Sequence, residues 1–165
     1  MGTKTVGEIL IPGVDEHGIE IQKVEIPDVV KKFFAIYRFR NGLNIHFMPQ
    51  SRDFLRKKVV SPREGYTVRV YQPVLSCGNK RVFTELGPCS EVDFAALFFL
   101  VKNQMKGEEG PLLTNGYLNV FHILSRNVWV LFDEIWSIGV TPGPPDNKYL
   151  WNSKHRIFAR EEVLQ

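Results

Sequence analysis

The feature that most constrains the fold is the stretch from residue 90 to 139, SEVDFAALFFLVKNQMKGEEGPLLTNGYLNVFHILSRNVWVLFDEIWSIG. It combines a helix signal, a glycine-punctuated loop and two strongly apolar strand signals, so most of the hydrophobic core must be built on it. Ser90 followed three residues later by Asp93 resembles a capping box, and Glu91 and Asp93 put negative charge at the positive end of the helix dipole. Phe94, Leu97, Phe98, Val101 and Met105 then recur at three- and four-residue steps. Gly107 suits the left-handed position that ends a helix, and Pro111 bars continuation. A helix over about 91–106 follows. Ala95, Ala96, Phe99 and Leu100 fill its remaining face, which predicts cover on more than one side, either from a curled sheet or from another subunit.

Beyond the loop, residues 117–124 and 128–136 are rich in aromatic and β-branched side chains and flank Ser125-Arg126-Asn127. This predicts a β-hairpin with a three-residue loop, in which Leu124 faces Val128, His122 faces Val130 and Asn119 faces Asp133. His122 and Glu134 then share one face, while Tyr117, Phe121, Trp129 and Asp133 share the other. Both faces are mostly apolar, as expected for strands inside a sheet. A loop of a different length would change every pairing.

The rest of the chain offers more strands in pairs. Residues 5–11 and 19–26 flank a Gly/Pro loop and suggest an edge hairpin. Residues 28–40 fit either a helix or a strand. The Asn41-Gly42 dipeptide favours one helical turn at most and then a hairpin of 34–39 with 43–48. Residues 66–77 with 81–89 suggest a further hairpin, with Pro73 marking an edge or a bulge. After the proline-rich 139–145 stretch, residues 149–151 and 156–159 suggest a last strand pair. The expected fold class is therefore α+β, a mostly antiparallel sheet of about six to eight strands built of hairpins, with one principal helix over about 91–106 packed against it. A single domain is expected over 1–165.

Function is far less constrained. The formal charge of +3 permits a nucleic-acid partner without demanding one. The longest unbroken apolar run, 94–101, is too short to span a bilayer, and the first residues do not resemble a secretory signal, so no membrane partner and a cytoplasmic location are expected. The two cysteines, Cys77 and Cys89, fall at opposite ends of the proposed 66–89 hairpin and are read as small buried residues in a reducing compartment. The common phosphate-loop, dinucleotide, zinc and serine-nucleophile signatures are missing from the sequence, and no cofactor or metal is expected.

Twelve Phe, three Trp and five Tyr exceed what one helix on a sheet readily buries, so a cavity or a symmetric dimer interface is expected to use some of them. Three readings result. The first is a non-enzymatic small-molecule-binding or protein-interaction domain, expected to dimerise, with a pocket for a small apolar or aromatic molecule drawn from Tyr117, Asn119, Phe121, His122, Trp129, Asp133 and Glu134. The second is an enzyme using His122 with Asp133 or Glu134 as acid/base groups on a small organic substrate. The third is a nucleic-acid or acidic-partner binder using Arg52, Arg56, Lys57, Lys58 and Arg63 of the basic 51–63 segment. A solvated connection is the simpler account of that segment, and nucleic acid is not the expected partner.

Overall fold

The structure, a computed structural model, describes residues 18–41, 43–73, 77–78, 90–141, 150–151 and 154–161. In chain order these form β1 (Gly18–Ile26), β2 (Phe33–Phe34), α1 (Ala35–Arg40), β3 (Ile45–Phe47), α2 (Pro49–Leu55), β4 (Val59–Val60), β5 (Tyr66–Pro73), β6 (Cys77–Gly78), α3 (Phe94–Asn103), β7 (Asn119–Ile123), β8 (Arg126–Asp133), β9 (Ile135–Val140), β10 (Leu150–Trp151) and β11 (Arg156–Arg160). Seven strands make one sheet in the order β1-β5-β11-β7-β8-β9-β3. The α+β class is observed, but the sheet is mixed: β11 runs parallel to β7, and β3 runs parallel to β9. Two further two-stranded pieces, β10 with β6 and β2 with β4, lie outside it. No helix among the described residues is long and apolar enough to cross a membrane.

Several expected hairpins are replaced by pairings between distant segments. β1 pairs with β5 instead of with the 5–11 segment, which lies outside the described residues. The same holds for 81–88 and Cys89, the expected partners of 66–77. After β2, the chain forms the six-residue helix α1 and not a strand, with Ala35 and Phe39 buried. β3 then crosses to β9, so Asn41 closes a helix and the expected pairing of 34–39 with 43–48 is not made. β10 and β11 do not pair with each other: β10 meets β6, and β11 lies between β5 and β7.

The principal helix lies within its predicted range but starts later. Asp93, not Ser90, is the cap, its carboxylate accepting from Ala96 N at 2.9 Å. Phe94, Ala95, Ala96, Leu97, Leu100 and Val101 are buried, and Phe98 and Phe99 are partly so. α3 packs on the sheet face that carries Val68 and Val70 of β5, Phe158 of β11, Phe121 and Ile123 of β7, Val128 and Val130 of β8, and Trp136 and Ile138 of β9. Phe121 stacks on Phe158 at 4.5 Å across the parallel pair.

One ion cluster ties the helix start to the sheet. Arg63 donates through Nε and Nη2 to the Asp93 carboxylate at 2.5 and 3.0 Å, and through Nη1 to Pro27 O and Glu64 O. Tyr66 Oη donates to Asp93 Oδ1 at 2.9 Å and accepts from Asp93 N at 3.0 Å. Burial alone would raise the Asp93 carboxyl, but the hydrogen bonds from Arg63 and from Ala96 N hold it below its ordinary range. Burial and the neighbouring Asp93 charge push the Tyr66 phenol far up, so it remains a donor.

α1 and α2 form the outer layer beside α3. α2 is pinned to the sheet because Ser51 Oγ lies 2.6 Å from Met48 O and 3.0 Å from Ile138 O, with Met48 N donating to Ile138 O. α1 is held by Phe39, whose ring meets Phe47, Phe94 and Phe98 edge to face, and by Ala35 N donating to Lys58 O. Much of the aromatic surplus is used here, in joining this layer to the core.

Candidate anion-binding face

The residues first expected to line a pocket do not converge. The β7–β8 hairpin exists, but its turn is the two residues Leu124 and Ser125, both with left-handed backbone (φ 51° and 61°). Asn119 therefore faces Val130, and His122 faces Asn127. The shift from the expected register is an odd number of residues, so it moves one strand's side chains to the other face. Phe121 points into the helix-side core while Trp129 lies on the opposite face, over Gly139. The strand expected over 128–136 is two strands, with the chain reversing at Glu134 (φ 64°). Asp133 and Glu134 are both exposed at that tip, and not set on the faces of one continuous strand as expected.

Asn119 is a structural pin. It is fully buried, accepts from Leu113 N, and donates to Leu113 O and Val130 O. With Gln104, which accepts from Leu112 N and donates to Glu108 O and Leu112 O, it holds the 104–118 loop on the core. Tyr117 is partly exposed beside His155 and Lys154, away from the others. Burial pushes the His122 imidazole down, opposed by the charge of Glu91. Its cross-strand partner Asn127 lies six residues from Asp133 along β8, roughly 20 Å at strand spacing, so His122 shares no cleft with Asp133 or Glu134.

The fold instead assembles a different constellation. Residues 31–58 contain eight Lys and Arg against a single acid, Asp53, a formal +7. Because the whole chain is +3, the remaining residues carry −4. The +7 segment comprises β2, α1, β3, α2 and the turn to β4, and seven of its eight cations are exposed. Arg56 is the only one of the eight with an ion pair among the described residues, a 3.6 Å approach to Asp53 in which both side chains are largely exposed.

Exposed rings accompany the cations. Phe34 is 54% exposed and Tyr37 64% exposed. Phe34 immediately precedes α1, in extended backbone, and Tyr37 lies within the helix next to Arg38 in sequence. The Arg38 guanidinium lies 5.2 Å from the Phe33 ring centroid and 5.5 Å from that of Phe98, and Lys102 Nζ approaches the Phe98 ring at 5.8 Å. Between them is a groove of about 210 Å³. Ile26, Val29, Phe33, Ala95, Phe98 and Phe99 give it an apolar lining, and Lys31, Arg38 and Lys102 give it cations. Its acid, Asp28, accepts from Gly65 N at 2.5 Å.

Of the basic residues singled out in 51–63, Arg52, Arg56 and Lys57 belong to this exposed layer. Lys58 lies 5.0 Å from the Phe54 ring centroid. Arg63 does not contribute, being committed to Asp93. Sequence reasoning did not bring Lys31, Arg38 and Lys102 together, because it expected Arg38 on a strand of the 34–39/43–48 hairpin and because Lys102 lies on α3, far from both in the chain. The signal that could have found Lys31 and Arg38 was the local charge imbalance of 31–58. No family model, curated protein or solved structure matches this chain.

Proposed function

We propose that this is a non-enzymatic binding domain that engages a polyanionic partner through the helical layer formed by residues 31–58 together with Lys102. The observation that carries this reading is the segregation of charge: +7 in one contiguous layer of a chain that is −4 elsewhere, with those cations left almost without carboxylate partners among the described residues. Like charges concentrated in one segment repel one another, and a bound anion relieves that repulsion and releases counterions. The reading keeps the binding role expected from the sequence and moves its site from the 117–134 hairpin to the helical layer beside α3.

Heparin provides a chemically defined polyanion for the test. Fluorescence anisotropy with labelled heparin at about 50 and 200 mM salt should show affinity falling at least tenfold across that range, as expected when several cations meet anionic groups. The charge-reversed variant R38E/R52E/K57E should bind too weakly to measure at either salt while unfolding at the wild-type temperature. Absence of binding at the lower salt, or equal binding by the variant, overturns the assignment.

A further inference from the structure

We infer that the polyanion is single-stranded nucleic acid, its bases stacking on Phe34 and Tyr37 and entering the groove beside Phe33 and Phe98; this rests on the polyanion reading above. The rings that the cations surround decide between polyanions. An acidic peptide offers carboxylates, and the face of an aromatic ring carries negative potential, so rings on the surface add little to its binding. A nucleobase has the opposite preference. It stacks on an aromatic face, and its phosphates take the neighbouring Lys and Arg.

The geometry places the two kinds of group side by side. Phe34, just before α1, and Tyr37, within it and next to Arg38 in sequence, both stand exposed. Arg38 reaches from α1 to the groove, where its guanidinium lies against Phe33 and Phe98 and is itself exposed. The planar guanidinium thus presents a second stacking surface and a fork for phosphate oxygens. Lys31 and Lys102 also line the groove. Phe34 lies across from Val59, which leads back to exposed Arg56 and Lys57. Cations therefore flank the rings on both sides, the arrangement a backbone needs to follow while its bases turn inward. A duplex keeps its bases stacked on each other and can use the cations alone.

The test compares a labelled 12-nucleotide oligo-dT, a duplex of the same length and poly-glutamate, each at about 50 mM salt, on the full chain and on F34A/Y37A. Expected is tightest binding to oligo-dT, with the double variant weakening it by tenfold or more while leaving poly-glutamate and heparin binding unchanged, because stacking is removed and charge is not. R38A should also lower the steepness of the salt dependence for oligo-dT, by about 0.7 in the log–log slope for each phosphate no longer neutralised. If oligo-dT binds no better than poly-glutamate, or F34A/Y37A binds it unchanged, the nucleic-acid inference fails and the polyanion reading stands. If neither oligo-dT, poly-glutamate nor heparin binds, the polyanion reading itself has failed. Sedimentation of the unliganded protein covers the remaining occupant: a dimer that F34A/Y37A converts to monomer would mean that a second copy covers the rings, and would overturn the inference.

Discussion

The cations that meet Glu161 and Asp93 and those of the helical layer are treated in opposite ways. On the sheet, Lys23 and Arg69 both reach Glu161 at 3.0 Å and Arg69 also lies 3.8 Å from the buried Glu20; beside it, Arg63, between β4 and β5, is held by Asp93. The hydrogen bonds from Lys23 and Arg69 hold the Glu161 carboxyl below its ordinary range, whereas burial raises that of Glu20. In the 31–58 layer Arg56 alone has a carboxylate within reach among the described residues, and the other cations lie on aromatic rings or extend into solvent. These paired charges join segments far apart in the chain and serve stability. The charges that lie over rings or extend into solvent make no such long-range ion pair among the described residues. Position alone separates two sets of Lys and Arg that are chemically the same.

The largest loss is expected at Asp93, in the paired region. D93A removes the helix cap, the partner of a half-buried Arg63 and the acceptor of Tyr66 together, and should cost about 2–4 kcal/mol in urea denaturation. The pH dependence carries the same signature. A carboxyl held below its unfolded range contributes stability that is complete above about pH 5 and is lost as the pH falls into the depressed range of the folded group, so wild-type stability should drop there and that of D93A should drop less. Equal slopes in the two proteins would remove Asp93 from its role as the anchor of the paired region.

A smaller loss is expected from G139A on the face of the sheet away from α3. A Cβ at Gly139 would lie about 2.0 Å from Trp129 Cζ2, inside the indole, so the ring must move off the strand. Overpacking of this kind costs about 1–3 kcal/mol, readable as a lowered melting temperature and a shift in tryptophan emission. The smallest effect belongs to the open cations. R52A/K57A should change stability by no more than about 0.5 kcal/mol, because neither side chain has an ion-pair partner among the described residues to lose. A destabilisation above about 1 kcal/mol in thermal unfolding would show that the helical layer, like the sheet, uses its charges structurally.

Much of the architecture was legible in local pattern. The period of Phe94, Leu97, Phe98 and Val101 located α3, and the runs flanking residues 125–127 located the β7–β8 hairpin. Its register was not legible, because the turn falls on Leu124 and Ser125, residues that rarely adopt the left-handed backbone they have here, while the more turn-like Arg126 and Asn127 open the next strand. The reversal at Glu134 was hidden for the same reason, a positive φ at a residue with no turn signature in an apolar run. The pocket expected from Tyr117, Asn119, Phe121, Trp129 and Asp133 depended entirely on that register. The proposed anion-binding face was half legible: Arg52, Arg56 and Lys57 stood out as a basic run, but nothing local joined them to Arg38 and Lys102.

What the sequence determined by itself is the set of strong local elements, the α+β class and the excess of cations between residues 31 and 58, because period, caps and charge are properties of neighbouring residues. Tertiary structure alone decided that β3 and β11 enter the sheet in parallel, that Arg63 is bound to Asp93 while Arg38 lies open over two rings, and that Phe34 and Tyr37 remain exposed. Each of those outcomes depends on a partner distant in the chain or on one that the fold leaves out, and backbone pairing and charge compensation act through distance in space.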